Sequence, residues 1–321
     1  MKRALIITGA AILVLGAACY FLFGAPGGVP TPERFIVSLG ETRAQAIQNL
    51  ADQGFIRSGF GFSIASTLEG NQAIIPGGYK INGDMNVFQV VSALNRPPYM
   101  KWVVVPEGLR KEETANLLQK DLGWTDATKS QFLNAYQTLG GNDYKEGVYF
   151  PDTYLLPVDE TGTQIAQRFI TQFNESFAPY AKEATAQNIK WTTALKIASI
   201  IQRESAGTSD MALISGIIWN RLLKNMPLDI DATIQYARGD TGNGFWAPLA
   251  VADLKIDSPY NTYLHKGLPP TPISNPGLAA IDAALNPQTT TCLYYIHNAN
   301  HIIHCADTYA GQQANIEKYL K

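Results

Sequence analysis

Charged residues are scarce in this chain and cysteines scarcer still, with three in total. Asp, Glu, Lys and Arg make up 16% of the 321 residues, against roughly 25% in an average soluble domain. The formal net charge is −2, so no general basic field exists to hold nucleic acid. The sequence also lacks internal repeats and low-complexity tracts. These absences argue against a nucleic-acid-binding protein, and a neutral polymer suits the composition better than a polyanion.

Hydrophobic residues account for 46% of the chain, which is ample for a packed core and excludes a disordered protein. The length predicts one large or two modest domains beyond any targeting segment. The pattern of helices and strands below predicts an α+β fold.

The N-terminus carries the clearest compositional signal. Lys2 and Arg3 precede an uncharged run, residues 4–23, which is about as long as a helix needs to cross a membrane. With the positive charges on the short N-terminal flank, we expect residues 1–24 to anchor the chain and everything after Gly24 to lie outside the cytoplasm.

A cleaved lipoprotein signal is the alternative, because the small residues 16–18 precede Cys19. The apolar run continues for four residues past that cysteine, whereas a signal peptide's apolar region usually ends before its cleavage site. An uncleaved anchor explains the sequence better.

The Gly- and Pro-rich residues 25–32 predict a linker, and residues 33–98 a small α+β subdomain. Within the subdomain we expect a strand at 34–39 and a helix that Thr42 caps and Gly54 ends. A second helix is predicted near 60–67, and a turn that enters a short strand at 75–81. A third helix follows, with Val87, Val90, Val91 and Leu94 facing inward.

Residues 99–321 form the larger predicted domain. It begins with a strand at 101–105. Helices are predicted near 111–118 and 164–173, and at 191–203, 210–224 and 278–285.

Cys292 and Cys305 would both lie in the oxidising compartment. Residues 293–297 and 301–305 flank a tight turn and predict a hairpin with the two thiols roughly opposite each other, so a disulfide between them is expected to be feasible. A zinc site made of these cysteines with His297, His301 and His304 is rejected, because the spacings match no standard ligand pattern and strand alternation would split the side chains. No metal or cofactor is expected.

Glu204 follows Ile197, Ile200 and Ile201 by seven, four and three residues, so its side chain projects from the apolar face if the helix continues. Desolvation there raises a carboxyl pKa, as a general acid near neutral pH requires. Periodicity alone leaves open a helix-end Glu that simply turns to solvent.

Several ordered motifs bear on that choice. The stretch IASIIQRES at 197–205, SGIIWNRL at 215–222 and MPLDIDATIQY at 226–236 resemble the catalytic core of the MltG (YceG-like) endolytic transglycosylases. Further stretches match as closely, and the resemblance covers nearly the whole chain to residue 290. They are EGVYFPDTY at 146–154, SPYNTY at 258–263, KGLPPTPISNPG at 266–277 and AALNP at 283–287.

The resemblance implies a helix ending in the catalytic Glu204 beside a cleft, a LysM-like small subdomain and a transglycosylase (YceG-like) catalytic domain. It implies cleavage of the MurNAc–GlcNAc bond inside peptidoglycan glycan strands, leaving 1,6-anhydro-MurNAc ends. The protein would be single-pass in the bacterial inner membrane, with its catalytic domain on the periplasmic side, and would cooperate with the wall-synthesis proteins.

The chain departs from the family pattern at three positions and along its C-terminal part, where residues 301–312 keep little beyond Thr308 and no function is expected. Gln202 stands where an acid is usual, Asp229 replaces a usual Gln, and Gln235 occupies a position that is commonly apolar or aromatic. Glu204 therefore stays the acid that fits the motif.

The candidate substrate-binding residues are of types that suit sugar, whose rings stack on aromatic faces and whose hydroxyls bond amides and carboxylates. Asp231, Thr233 and Tyr236 are predicted on an extended segment after Pro227. Arg221 could bind substrate or Asp231, or form a structural salt bridge. The full set is Asn220, Arg221, Asp231, Thr233, Tyr236, Asn261 and Tyr263.

Two other functions stay open. A hydrolase could use Asp229 or Asp231 to activate water and would leave reducing ends. A non-catalytic division scaffold could bind glycan through the small subdomain without turnover.

Overall fold

The computed structural model describes residues 2–28 and 34–320. Residues 29–32 of the predicted linker lie outside the described part. The chain divides into two compact units. Unit 1 comprises Met1–Val103 and Thr153–Glu160, and unit 2 comprises Val104–Asp152 and Thr161–Lys321.

The predicted apolar helix is present as α1 (Lys2–Phe23). Its segment Ile6–Phe23 has a mean hydropathy of 2.3. Residues 6–21 are exposed, and Leu22 and Phe23 at the end of the helix are half-buried. By length and composition, α1 is compatible with a single-pass membrane anchor.

The rest of unit 1 is a small mixed sheet-and-helix body. Its elements are β1 (Phe35–Val37), α2 (Arg43–Asp52), α3 (Gly59–Leu68), β2 (Gly77–Tyr79), α4 (Val87–Leu94), β3 (Met100–Val104) and β4 (Thr153–Pro157). The strands form one sheet in the order β1-β2-β3-β4. The boundary predicted between residues 98 and 99 thus falls inside this sheet, because β3 pairs with β2 and β4 joins from further along the chain.

Local chemistry explains the helix limits in unit 1. The Thr42 hydroxyl accepts a hydrogen bond from the backbone N–H of Gln45, and the Gln45 side chain accepts one from the N–H of Thr42, which is a capping box. Gly54 has a φ of 75°, which ends the helix and turns the chain. Both predictions, the cap and the end, are confirmed.

Unit 2 is mainly helical and carries a separate two-stranded hairpin. Its helices are α5 (Lys111–Leu122), α6 (Asp126–Asn134), α7 (Tyr136–Leu139), α8 (Gly162–Ala186), α9 (Trp191–Glu204), α10 (Met211–Leu223), α11 (Asp231–Arg238), α12 (Leu278–Leu285) and α13 (Tyr309–Tyr319). The hairpin is β5 (Tyr294–His297) and β6 (Ile303–Ala306).

The core around α9 follows the predicted apolar stripe. Leu195, Ile197, Ala198, Ile200 and Ile201 are all fully buried. They face α10 and α12, which pack against α9. Burial of such a stripe fixes the rotation of α9, and hence the side from which its last residue projects.

The extended segment predicted for residues 231–236 is wrong, because these residues begin α11. Apolar residues do alternate with polar ones from Leu228 to Ile234 in the sequence, which is typical of a strand. In the structure, Ile230 is the last extended residue and the helix starts at Asp231, whose acidic side chain suits a helix N-terminus.

The predicted hairpin is present, with Tyr295 opposite Cys305. Cys292, two residues before β5, is joined to Cys305 by a disulfide, with Cα atoms 5.8 Å apart. The cross-link closes a loop with a sequence separation of 13 and ties β6 to the chain that enters β5.

Candidate active site

Glu204 is the last residue of α9, and Ser205 after it has extended backbone angles. The helix ends at Glu204. Its side chain is half-buried and lies beyond the fully buried apolar stripe of α9. Its Oε2 accepts a hydrogen bond of 2.6 Å from the hydroxyl of Tyr295 on β5. A short bond of this kind holds one carboxyl oxygen and leaves the other for a second partner.

Burial raises the pKa of Glu204 above its ordinary value. The Tyr295 hydroxyl and the backbone N–H of Ala232 oppose this by stabilising the carboxylate, while the negative charge of Asp231 adds to the rise. The result is a carboxyl group that keeps its proton to higher pH than an exposed glutamate. That is the property of a general acid.

The carboxyl group borders a cavity of about 240 Å³ within unit 2. Its lining combines three tyrosines with acidic, basic and amide side chains, which suits a polar ligand with flat faces. The lining residues are Glu204, Arg221, Leu228, Asp229, Ile230, Asp231, Tyr263, Tyr294, Tyr295 and Gln312.

Asp231 and Tyr263 form one wall of the cavity. Asp231 is the first residue of α11, and its Oδ1 accepts a hydrogen bond of 2.7 Å from the hydroxyl of Tyr263. Burial and this carboxylate raise the pKa of Tyr263. The phenol therefore remains a donor, and its ring stays partly exposed to the cavity.

Arg221 is buried beside the cavity and hydrogen-bonds to two chain segments that line it. Its guanidinium donates to the backbone carbonyls of Leu293 (2.6 Å), Pro227 (3.0 Å) and Leu228 (2.9 Å). It also pairs with the Asp229 carboxylate at 2.9 Å, rather than with Asp231. Asp229 adopts a φ of 51°, in the left-handed region. Arg221 thus sets the path of two chain segments that line the cavity.

Three predicted site residues lie outside this lining and bond mainly to backbone. The Asn220 amide donates to the carbonyls of Thr290 and Cys292, which support the start of the hairpin. The Thr233 hydroxyl donates to Ile230 at 2.6 Å. The fully buried Asn261 donates to Leu254 and Ile256. All three shape the segments on which the lining residues stand.

Tyr236 lies in a second cluster, around the buried Glu146. Its hydroxyl donates to Glu146 at 3.3 Å, and Arg110 stacks over its ring at 4.0 Å. Glu146 also accepts from the Lys111 backbone N–H at 3.0 Å and from the Asn275 amide at 3.3 Å. The carboxyl group therefore joins four separate chain segments, including the helix that begins at Asp231.

Glu146 predicts a pH-dependent stability. Burial, with the charge of Glu112 adding to it, raises the pKa of Glu146 to about 7. The folded state then binds this proton more tightly than the unfolded state, so the stabilisation is complete below about pH 4.5 and is lost as pH rises through about 7. We expect the free energy of unfolding to fall by up to about 3 kcal/mol over that range from this group. Urea unfolding at pH 5 and pH 8 measures it.

Glu146→Gln is the matched variant, because an amide does not titrate over this range. The difference in unfolding free energy between the two pH values should shrink in Glu146→Gln and persist in the exposed Glu175→Gln control. An undiminished difference in Glu146→Gln would assign the pH dependence to other groups.

Five lining residues were missed from the sequence: the aliphatic Leu228 and Ile230, and Tyr294, Tyr295 and Gln312. Tyr294 and Tyr295 begin β5, and the Gln312 amide on α13 donates to the Tyr295 carbonyl at 3.0 Å. Adjacent tyrosines at the start of the predicted hairpin are the only sequence signal. Nothing local places them beside Glu204, which lies 91 residues from Tyr295 along the chain.

Removing the Tyr295 hydroxyl should raise the pKa of Glu204 further. Tyr295→Phe takes away a donor that stabilises the carboxylate, so the proton of Glu204 will be held to higher pH. A ¹³C NMR titration of glutamate carboxyl groups in the full chain measures the midpoint. Tyr294→Phe removes a hydroxyl from the neighbouring cavity residue and should leave the midpoint in place. An unchanged or lower midpoint in Tyr295→Phe would contradict the assignment.

A histidine–carboxylate contact lies next to the Glu204–Tyr295 contact, since the His297 ring meets the Tyr295 ring edge-on with centroids 6.0 Å apart. His297 Nε2 lies 2.7 Å from Asp210 Oδ2, and Asp210 also accepts from the backbone N–H of Ala206 at 3.0 Å. His304 stacks on Tyr319. Across residues 2–28 and 34–320, no group of three or more His, Cys, Asp or Glu side chains is placed to hold a metal ion.

Comparison with known proteins agrees with these motifs. The sequence model of the YceG-like family matches residues 35–318. A crystal structure of a yceG-like protein from Listeria monocytogenes superposes with a TM-score of 0.63 at 25% identity, covering 88% of this chain and 99% of that one.

Two curated relatives carry the name endolytic murein transglycosylase. The Streptococcus pneumoniae protein is 28% identical over 279 residues, which are 77% of this chain and 51% of the relative. The Bacillus subtilis protein is 35% identical over 176 residues, 54% of this chain and 48% of the relative. The chain thus spans about half the length of the curated relatives it matches.

Proposed function

Because the chain belongs to the YceG-like family, we propose that it is a peptidoglycan lytic transglycosylase that cuts within glycan strands. The name of its curated relatives supports this activity. The observation that carries the proposal is a single half-buried carboxyl group, Glu204, with a raised pKa at the edge of a tyrosine-lined cavity.

In the first step, protonated Glu204 donates its proton to the oxygen of the MurNAc–GlcNAc β-1,4 bond. The bond between that oxygen and C1 of MurNAc breaks, and the oxygen leaves as a hydroxyl group. Positive charge develops at C1, and Glu204 becomes a carboxylate. The hydroxyl of Tyr295 stabilises this carboxylate through its 2.6 Å hydrogen bond.

In the second step, the Glu204 carboxylate takes the proton of the substrate's own C6 hydroxyl. The C6 oxygen then bonds to C1 and forms the 1,6-anhydro ring, and Glu204 is protonated again. No water is consumed, so one carboxyl group suffices where most glycosidases need two. The sugar's N-acetyl group can shelter the cationic intermediate.

We assign substrate contact to the predicted residues that line the cavity: Arg221, Asp231 and Tyr263. Tyr263 offers a partly exposed ring for stacking, and Asp231 an acceptor for sugar hydroxyls. Asn220, Thr233, Tyr236 and Asn261 would act on substrate indirectly, by holding the segments described above.

A hydrolase is the second candidate, because Asp229 and Asp231 line the same cavity as Glu204. Either could activate water as the second carboxylate. Asp229 is paired with Arg221, and burial raises the pKa of Glu204 so that this one group can give a proton and take one back, which favours the one-carboxylate route.

Product mass separates these functions. The full chain in mild detergent is incubated with purified peptidoglycan, and the released fragments are measured by mass spectrometry. The lyase gives 1,6-anhydro ends, while a hydrolase gives reducing ends that are heavier by one water. Binding to peptidoglycan without any released fragment would instead support the non-catalytic scaffold.

We further propose that α1 crosses the bacterial cytoplasmic membrane, with Lys2 and Arg3 inside and both units outside. The apolar length of α1 and the peptidoglycan-directed name of the relatives support this placement. Unit 1, which runs strand–helix–helix–strand from β1 to β2, would hold the LysM-like part, and unit 2 the catalytic part. Glycan strands, the membrane and wall-synthesis proteins would be its partners.

A further inference from the structure

Helix α3 of unit 1 carries large apolar side chains on its outward face as well as on its buried face, with Ser63 and Thr67 the exposed polar residues beside them. Phe60, Ile64 and Leu68 are spaced four residues apart and therefore form one stripe along the helix. Phe60 and Leu68 are 68% and 72% exposed, and Ile64 is half-buried. The ten residues of α3 include no charged side chain. A soluble surface helix normally carries charges on this face.

The stripe begins where α1 meets the rest of unit 1. Gly61, next to Phe60, lies against the backbone of Leu22 so closely that a Cβ at this position would collide with the Leu22 carbonyl group. Phe23 stacks on Phe88 of α4, with ring centroids 5.5 Å apart. The last turn of α1 is therefore packed into the body of unit 1.

Arg57, just before α3, fixes the chain that leaves α1. Its guanidinium donates to the carbonyls of Ala25 and Pro26, each at 2.8 Å. It also donates to the hydroxyl of Tyr20 at 3.0 Å and stacks over the Tyr20 ring. The exit of α1 is thus hydrogen-bonded to the residue two positions before α3.

These contacts set the depth of the N-terminal end of α3 relative to a bilayer. Residues 4–23 span about 30 Å as a helix, which is the thickness of the hydrocarbon core, so Leu22 and Phe23 lie at its edge. Because Gly61 touches Leu22, Phe60 lies at the same depth.

We propose that α3 lies in the surface zone of the bilayer that α1 spans, with Phe60, Ile64 and Leu68 inserted among the lipid acyl chains. An uncharged helix with an outward apolar stripe is suited to this zone. The inference rests on the proposed anchor. It identifies the lipids of the outer leaflet as what covers the stripe. Unit 1 would then contact the membrane through both α1 and α3, rather than being attached to it through α1 alone.

Depth-dependent fluorescence quenching tests the seating. The full chain carries Cys19→Ser, since Cys292 and Cys305 are already bonded to each other. One new cysteine is then introduced and labelled with bimane, by Leu68→Cys, by Leu13→Cys in the anchor, or by Gln48→Cys on the exposed face of α2. The proteins are placed in vesicles of phosphatidylethanolamine and phosphatidylglycerol that contain lipids with a nitroxide at a shallow or a deep acyl position.

We expect the label at position 68 to be quenched at least threefold more than that at position 48, and more by the shallow nitroxide than by the deep one. The label at position 13 should be quenched most by the deep nitroxide. Equal quenching at 68 and 48, with position 13 quenched, would overturn the seating of α3 and leave the anchor intact. Loss of quenching at 13 would overturn both. If quenching of the label at position 68 falls as the protein-to-lipid ratio rises, the stripe is covered by a second copy of the chain, and the proposal is overturned.

Discussion

Glu204→Gln is expected to reduce the release of anhydro-ended fragments from peptidoglycan at least about 100-fold, the usual contribution of a general acid–base residue. Glutamine has nearly the shape of glutamate and can keep the hydrogen bond with Tyr295. It has no acidic proton to give to the leaving oxygen and cannot take the proton of the C6 hydroxyl. Initial rates of fragment release by the full chain, measured by mass spectrometry, give the ratio.

Glu175→Gln is the matched control, since it makes the same change at an exposed position on α8. It should release fragments at the rate of the unmodified chain. Both variants should still sediment with peptidoglycan, which shows that the fold and the binding of glycan survive. Equal rates for Glu204→Gln and the unmodified chain would reject the role given to Glu204.

Arg221→Met should lower the free energy of unfolding by about 3 kcal/mol, because it leaves buried backbone carbonyls without a donor. Methionine replaces the stem of arginine but not its guanidinium, which holds the carbonyls of Pro227, Leu228 and Leu293. The ion pair with Asp229 adds little to this figure, since that carboxylate is 41% exposed and therefore screened. Urea unfolding of the full chain in detergent measures the change.

Lys224→Met provides the comparison, because it removes a positive charge from an exposed position three residues further on. Its unfolding free energy should stay within about 0.5 kcal/mol of the starting value. Arg221→Lys should restore only part of the loss, since a single ammonium group cannot reach separate carbonyls as a planar guanidinium does. An Arg221→Met chain as stable as the Lys224→Met chain would show that Arg221 is not needed to hold the cavity walls.

The helices that carry the site could be predicted where one face is buried. The spacing of apolar residues from Leu195 to Ile201 predicts α9 to within one residue of its end, because all but one of the buried positions in this stretch carry aliphatic side chains, Ser199 being the exception. Helix α12 begins and ends at the predicted residues, 278 and 285, where Gly277 precedes it and Pro287 follows shortly after. In both cases the local signals and the tertiary contacts agree.

Prediction failed where the determining contact is distant or the pattern suits two structures. Residues 228–234 alternate like a strand, yet Asp231 begins a helix. The contact between Tyr295 and Glu204 joins segments 91 residues apart, so no local pattern could place it. Asn220, Thr233 and Asn261 hydrogen-bond mainly to backbone groups. Because every residue carries such groups, the sequence could not show which ones these side chains would meet.

The disulfide between Cys292 and Cys305 holds the hairpin whose strand β5 carries Tyr295, the hydrogen-bond partner of the proposed acid Glu204. Under the proposed topology the disulfide forms after export, because the cytosol keeps thiols reduced. Recombinant batches made inside a reducing host would contain chains whose hairpin is unfastened. Specific activity should then scale with the fraction of chains in which Cys292 and Cys305 are joined, and a thiol count in the Cys19→Ser chain becomes a measure of how much of a preparation is assembled for catalysis.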